Sequence, residues 1–285
     1  MKTGSSFLSN CKINLFLFVT GKRDDGYHNI FTLFYPVSLC DTINITKSNE
    51  LRLTCTDTSI PTDDKNIIIQ TDNILRKHYG LKDLFHIELI KNIPHGAGLG
   101  GGSSNAAVYL KAVNEISNLG LTFNDMKSIM ASLGSDTVFF LKNESAVAKD
   151  RGIELYPAPI LPKLYFILIN PNIYISTKDI YNHKDLEYTD IENIPTLKEK
   201  YSFQELISLM HNDMQKPVIN MHKEVKYLID YLKSETIGIP LMSGSGSTVF
   251  CMFNNEQDRD FYFTKIKEKF SVYFIEKAQY LHNIK

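Results

Sequence analysis

Pro94-His-Gly-Ala-Gly-Leu-Gly-Gly-Gly-Ser-Ser-Asn-Ala-Ala107 is the stretch on which the fold turns, because five of the seven residues from Gly96 to Gly102 are glycine. A turn needs one glycine, so a flexible turn followed by an ordinary serine cap is the plainer but poorer account. Without Cβ atoms, backbone N–H groups can approach a polyphosphate, and a helix that follows adds unsatisfied donors and a partial positive charge. The spacing predicts that helix from Ser103 or Ser104, with a serine cap and Ala107, Leu110, Ala112, Val113 and Ile116 as its apolar stripe. Upstream, Phe85–Ile90 alternates as a half-buried strand does. Strand, glycine loop and helix together make an anion site, with the Ser103 and Ser104 hydroxyls in reach of a phosphate or a magnesium-bound oxygen.

Two other phosphate motifs compete for the segment. The Walker pattern requires Gly-Lys-Ser/Thr, and no lysine follows these glycines. Gly96, Gly98 and Gly101 satisfy G-x-G-x-x-G, which admits a dinucleotide-binding oxidoreductase as a rival. That fold wants a strand ending in an acidic residue about twenty positions on. Here the helix leads into a loop and a second predicted helix, Phe123–Leu133.

Outward from the loop, strands are predicted at Ile13–Thr20, Asp41–Thr46 and Leu51–Cys55, and a helix at Asn66–Tyr79. Pro157, Pro159 and Pro162 interrupt regular structure before the apolar strand Leu164–Ile169, which divides the chain into domains 1–160 and 161–285. Beyond lie predicted helices at Phe203–Met210, Met214–Leu232 and Asp258–Phe270, and strands at Leu241–Met242, Thr248–Phe253 and Val272–Glu276. The class is α+β.

With 285 residues, 43% hydrophobic, 22% charged and a net charge of −1, the chain has the composition of an ordinary globular protein, which excludes disorder as its main state. Near-neutrality gives no bulk attraction to nucleic acid or to an anionic membrane, so anionic ligands must be met locally. No apolar run reaches the length of a membrane span and no signal peptide is legible, so a cytoplasmic protein is expected. Cys11, Cys40, Cys55 and Cys251 form no C-x-x-C pair and read as reduced thiols.

Several polar groups interrupt apolar surroundings. Lys12 and Asn14 lie two apart on a strand and share one face. Asp136, in Leu133-Gly-Ser-Asp-Thr-Val-Phe-Phe140, is a carboxylate among apolar neighbours that calls for a cation or donors; a surface lysine and a helix-capping aspartate are the plainer accounts of Lys12 and Asp136. The charged loop Gly21–His28 ends in Tyr27 and His28, a pair able to stack on and hydrogen-bond a nucleobase, or simply an exposed turn. Ser243-Gly-Ser-Gly-Ser-Thr248 is a second glycine loop between predicted strands, offering N–H groups to an anion or a plain hairpin turn.

The order of Asn10-Cys-Lys-Ile-Asn14, Asp25-Gly-Tyr-His28, the long glycine loop, Gly134-Ser-Asp136 and Ser243-Gly-Ser-Gly246 resembles the GHMP kinase superfamily, and within it the kinases of a cytidine-diphosphate-linked methylerythritol. The resemblance implies a two-domain fold, an N-terminal domain of the ribosomal S5 domain 2-like type and a C-terminal ferredoxin-like domain with the active site in the cleft between them. It implies ATP and Mg2+, phosphorylation of the substrate's 2-hydroxyl, and a monomer or weak homodimer without nucleic-acid or membrane partners. Mevalonate- and homoserine-type kinases of the superfamily are the alternatives. By motif, Asp136 is the implied general base and Lys12 the cation beside it. ATP would lie on Pro94, His95, Gly96, Ala97, Gly98, Leu99, Gly100, Gly101, Gly102, Ser103 and Ser104, with Asn66 at adenine. Substrate would lie on Asn14, Tyr27, His28, Thr177, Tyr181, Gly244, Ser245 and Gly246; no metal ligand is implied. The chain departs from the family in having Asn10-Cys11 where Pro-Ala or Pro-Ser is usual, and Thr137-Val138 where Val-Pro is usual.

Overall fold

The computed structural model describes residues 4–281. Two long strands open the chain, β1 (Ser5–Lys22) and β2 (His28–Ser48), joined by a hairpin in which Arg23 N donates to Tyr27 O at 2.8 Å. Next come β3 (Arg52–Cys55), α1 (Ile67–Tyr79), β4 (Leu84–Ile90), α2 (Gly101–Ile116), α3 (Phe123–Leu133) and the one-turn α4 (Phe139–Lys142). β5 (Ala146–Lys149), β6 (Glu154–Pro157), β7 (Tyr165–Asn170), α5 (Thr177–Tyr181), α6 (Phe203–Ile207) and β8 (His211–Asn212) follow. The last elements are α7 (Gln215–Met221), α8 (Lys223–Ser234), β9 (Ile239–Met242), β10 (Val249–Phe253), α9 (Glu256–Lys269) and β11 (Phe274–Gln279).

The differences from the sequence expectations have local causes. The predicted strands at Ile13–Thr20 and Asp41–Thr46 are the middles of β1 and β2, and β2 runs through Pro36. β5 pairs with Thr32–Phe34 and β4 with Thr42–Ser48, so the proline falls between the two ladders, where a missing N–H breaks neither. The predicted helix Met214–Leu232 is two helices, because His222 sits at φ −123°, ψ 99°, outside helical space. α2 begins at Gly101 rather than at a serine. Its N-cap is Gly100 in the left-handed region at φ 69°, with no side-chain cap bond, so the expected serine cap is replaced by a conformation that glycine reaches without strain.

Contacts group the chain into two compact units. The first comprises Met1–Cys11, Cys40–His95 and Gly100–Glu144. In it the later part of β2 pairs antiparallel with β4, and β3 pairs parallel with β4. α1 and α2 pack together, and the fully buried Tyr109 of α2 donates its hydroxyl to Asp72 of α1 at 2.6 Å.

The second unit comprises Lys12–Leu39, Gly96–Leu99 and Ser145–Lys285. It contains an antiparallel sheet in the order β11-β7-β10-β9. Counted within that sheet the order is fourth, first, third, second, with helices after the first and third strands, which is the ferredoxin-like arrangement. Tyr165, Ile167 and Ile169 of β7 share one face with Val249, Cys251 and Phe253 of β10, and that face packs in one core with Val225, Leu228, Ile229 and Leu232 of α8. These four residues follow the 3, 4, 7 spacing of a helix face. Alternation sends Phe166 to the opposite face, edge-on to Phe250 at 5.8 Å and to Tyr35 at 5.6 Å.

Candidate active site

In the second unit β1 brings Lys12 and Asn14 to one side, as their spacing requires, and both are buried. The Lys12 ammonium donates to Asn14 Oδ1 at 2.6 Å and to the Gly98 carbonyl at 3.2 Å, and it stands 5.2 Å over the Phe34 ring. The Lys12 N–H donates to Leu99 O at 3.0 Å, so backbone and side chain both hold the glycine loop. Asn14 Nδ2 donates to Thr32 Oγ1 at 2.8 Å, and Ser243 Oγ donates to Gly98 O at 3.0 Å.

The two glycine loops meet backbone to backbone. A Cβ on Gly98 would stand 2.1 Å from Ser243 O and 3.0 Å from Gly246 N, and Gly98 has φ +74°. Glycine is therefore required at this position both for the close approach and for the conformation. Ser243–Thr248 is also a hairpin connection, since β9 and β10 pair on either side of it. Asn212, absent from the sequence reading, donates to Met242 O at 2.7 Å and Gly244 O at 2.8 Å and so holds this loop from behind. Ser245 Oγ lies 2.7 Å from Thr177 Oγ1.

A third group is aromatic. His28 is buried and stacked on Tyr181, with ring centroids 4.4 Å apart and planes 13° apart. Its Nε2 lies 3.1 Å from the hydroxyl of Tyr188, which the sequence reading passed over because nothing local marks it. Tyr27 is half exposed, with the Arg151 guanidinium 4.6 Å over its ring. Burial pushes the His28 imidazole below its ordinary value, and the charge of Lys22 adds to the shift.

The remaining expected residues lie in the first unit. Pro94 and His95 precede the glycines, and Gly101 to Ser104 form the first turn of α2, whose leading N–H groups have no intrahelical acceptor. Ser103 is half-buried, whereas Ser104 is buried and its hydroxyl accepts from Ser9 Oγ at 2.8 Å. Asn66 is the N-cap of α1: its Oδ1 accepts from Ile68 N at 2.9 Å and its Nδ2 donates to Pro61 O at 2.7 Å. Asp136 is half-buried in the turn before α4. It is not the helix cap, since Val138 holds that place without a side-chain bond. The turn is closed by Thr137, whose hydroxyl lies 2.5 Å from Met130 O and 2.6 Å from Gly134 O. The other departure is also bonded: Asn10 Nδ2 donates to Cys11 O at 2.9 Å, and Asn143 Nδ2 donates to Asn10 Oδ1 at 2.5 Å.

A buried cation on the carbonyl of a glycine loop, a second glycine loop against it and an aromatic group able to engage a base form the inventory of a small-molecule kinase. The N-terminal domain of GHMP kinases matches residues 66–143 and the C-terminal domain of GHMP kinases matches residues 194–272. A 4-diphosphocytidyl-2-C-methyl-D-erythritol kinase of Syntrophus aciditrophicus is 38% identical over 87% of this chain and 90% of its own length. The chain belongs to the 4-diphosphocytidyl-2-C-methyl-D-erythritol kinase family. A second member, from Cytophaga hutchinsonii, is 38% identical over 87% of this chain and 92% of its own length. A crystal structure of 4-(cytidine 5'-diphospho)-2C-methyl-D-erythritol kinase superposes with a TM-score of 0.76 at 25% identity, covering 96% of this chain and 99% of that one. L. major mevalonate kinase shares the fold alone, with a TM-score of 0.75 at 15% identity over 100% of this chain and 98% of that one. The two-domain GHMP kinase fold expected from the sequence is thus the fold found, and the enzyme is an ATP-dependent phosphotransferase of this family.

Proposed function

We propose that the chain transfers the γ-phosphoryl group of ATP to the 2-hydroxyl of 4-diphosphocytidyl-2-C-methyl-D-erythritol, giving the 2-phosphate and ADP, in the non-mevalonate route to isoprenoids. The observation that carries the reading is the buried Lys12 ammonium bonded to the Gly98 carbonyl, which ties a cation to the phosphate-binding loop. The substrate oxygen bonds to Pγ as the bond from Pγ to the β,γ-bridging oxygen breaks. ADP leaves with that electron pair, and the hydroxyl proton passes to the Asp136 carboxylate. Lys12 offsets charge at the reacting centre, and Asn14 holds the polyol. Polyphosphate lies on the N–H groups of Gly96–Ser103; Ser104 acts by anchoring α2, since its hydroxyl is bonded inside the protein.

His28, Tyr27, Tyr181 and Tyr188 receive cytosine. The His28 and Tyr181 rings are already in stacking contact, so the base meets an open face of this group and does not enter between those two rings. Among the described residues no group of three His, Cys, Asp or Glu could hold a metal ion. Magnesium would therefore arrive on the ATP phosphates, as its preference for phosphate and water oxygens favours, with the half-buried Ser103 hydroxyl as the protein's contact. Asn66 meets adenine beside its capping role, and Thr177 with Gly244, Ser245 and Gly246 faces the substrate. The domains divide at residue 160. The chain is read as a cytoplasmic monomer or weak homodimer, as the family resemblance implies; no helix among the described residues is long and apolar enough to cross a membrane.

The test is a coupled assay of ADP release with ATP-magnesium and three acceptors. Turnover is expected with the cytidine-linked methylerythritol and not with mevalonate or homoserine. Preference for either of the latter would assign the chain to another acceptor.

A further inference from the structure

Thr32 of β2 is fully buried and belongs to no glycine loop, charged pair or aromatic group. Its hydroxyl donates to the carbonyl of Phe16 at 2.6 Å. A hydroxyl has one proton, so with that bond made it can meet Asn14 Nδ2, 2.8 Å away, only as an acceptor. The chain of donors then fixes the Asn14 amide: nitrogen toward Thr32 and oxygen toward the Lys12 ammonium at 2.6 Å. The reversed amide would set an NH2 group against the ammonium and an oxygen against a hydroxyl with no proton left to give. Asn14 is 1% exposed and Lys12 2%, so solvent has little access to either partner of a misplaced amide.

We propose that Thr32 is a positioning residue for phosphoryl transfer, acting through the Asn14 amide to hold the Lys12 ammonium at the Gly98 carbonyl. The proposal rests on the reading of Lys12 as the cation of the reacting centre. It goes beyond that reading because Thr32 acts by choosing one of the two amide orientations of Asn14.

Four variants test it by steady-state kinetics with ATP-magnesium and 4-diphosphocytidyl-2-C-methyl-D-erythritol. Thr32→Val keeps the volume and removes the acceptor, so kcat should fall about tenfold to a hundredfold while the KM for ATP holds, the scale expected when a buried donor loses its partner. Thr32→Ser restores the hydroxyl and should restore most of kcat. In side-chain amide NMR the Asn14 signals should move in Thr32→Val and return in Thr32→Ser. Should Thr32→Val fold poorly, Thr32→Ala removes the same acceptor with less bulk and is read in the same way. A merely structural Thr32 would lower thermal stability without separating kcat from KM. Wild-type kcat in Thr32→Val or Thr32→Ala, or failure of Thr32→Ser to recover it, overturns the proposal. Lys12→Met separates this outcome from failure of the underlying reading: an inactive Lys12→Met beside an active Thr32→Val rejects Thr32 alone, and an active Lys12→Met rejects the role of Lys12 itself.

Discussion

Asp136 and His28 carry the most direct consequences of the site chemistry. Asp136 is half-buried, in a turn closed by the Thr137 hydroxyl. Asp136→Asn should therefore lower kcat by about two orders of magnitude, the usual scale for a lost general base, with little change in thermal melting. For His28 the folded-state value is depressed, so the folded protein binds fewer protons than the unfolded chain as pH falls through the ordinary histidine range. Its contribution to stability is full above about pH 6.5 and is lost as pH falls through the depressed value. The KM for the cytidine-linked substrate should rise over the same window, and the KM for ATP should not; a pH series on wild type and His28→Ala checks this, because the variant should lose the dependence. The residue types were legible in the sequence, since Lys12, Asn14 and Asp136 are polar groups in apolar surroundings. Thr32, Tyr188 and Asn212 were not, because a lone threonine, tyrosine or asparagine takes its meaning from a partner distant in sequence, as Asn14 Nδ2 donating to Thr32 or Asn212 Nδ2 donating to Met242 shows.

At the scale of the elements, the glycine loop has two tasks. The sequence suggested room for a polyphosphate, and the structure adds that Gly98 lies against the Ser243–Gly246 backbone. Gly98→Ala places a Cβ 2.1 Å from a carbonyl oxygen in a left-handed conformation, and no flexible side chain is there to yield. Loss of several kcal/mol is expected, of the order of other overpacked or strained positions, together with loss of ATP binding. Gly102→Ala is the control, since its Cβ would meet only a methyl carbon of Ile67 at 3.9 Å; equal destabilisation of the two variants in urea unfolding would refute the loop-on-loop account. Periodicity found β4 and α1, but it did not find where α2 begins. Gly100 caps that helix through its backbone conformation, which leaves no capping side chain to recognise.

Across the whole molecule a net charge of −1 conceals a buried ion pair. The fully buried Asp41 of β2 accepts from Lys91 Nζ at 2.6 Å, from the N–H groups of Asn92 and Ile93 at 2.8 Å each, and from Asn105 Nδ2 of α2 at 3.0 Å. Asn105 also donates to Ser9 Oγ of β1 at 2.9 Å, so one carboxylate organises three elements and the entry to the glycine loop. Such a centre is invisible in composition, and neither aspartate nor lysine stands in a motif. Nor does any shift of composition mark that Lys12–Leu39 and Gly96–Leu99 group with the chain beyond Ser145. Burying both charges is costly in itself, and the cost is offset only while the partners and their hydrogen bonds are complete. Lys91→Met should thus destabilise by about 3–5 kcal/mol, because it leaves a carboxylate without its cation. When Asp41→Asn is combined with Lys91→Met, the amide oxygen can still accept from the Asn92 and Ile93 N–H groups and no charge is stranded, although Asn105 Nδ2 loses its acceptor, so part of the loss should return. Urea unfolding of the two single variants and the double variant closes the cycle. A double variant as unstable as the sum of its parents would mean that the two charges are not coupled, and that the loop entry is held by the Asn105–Ser9 bonds instead.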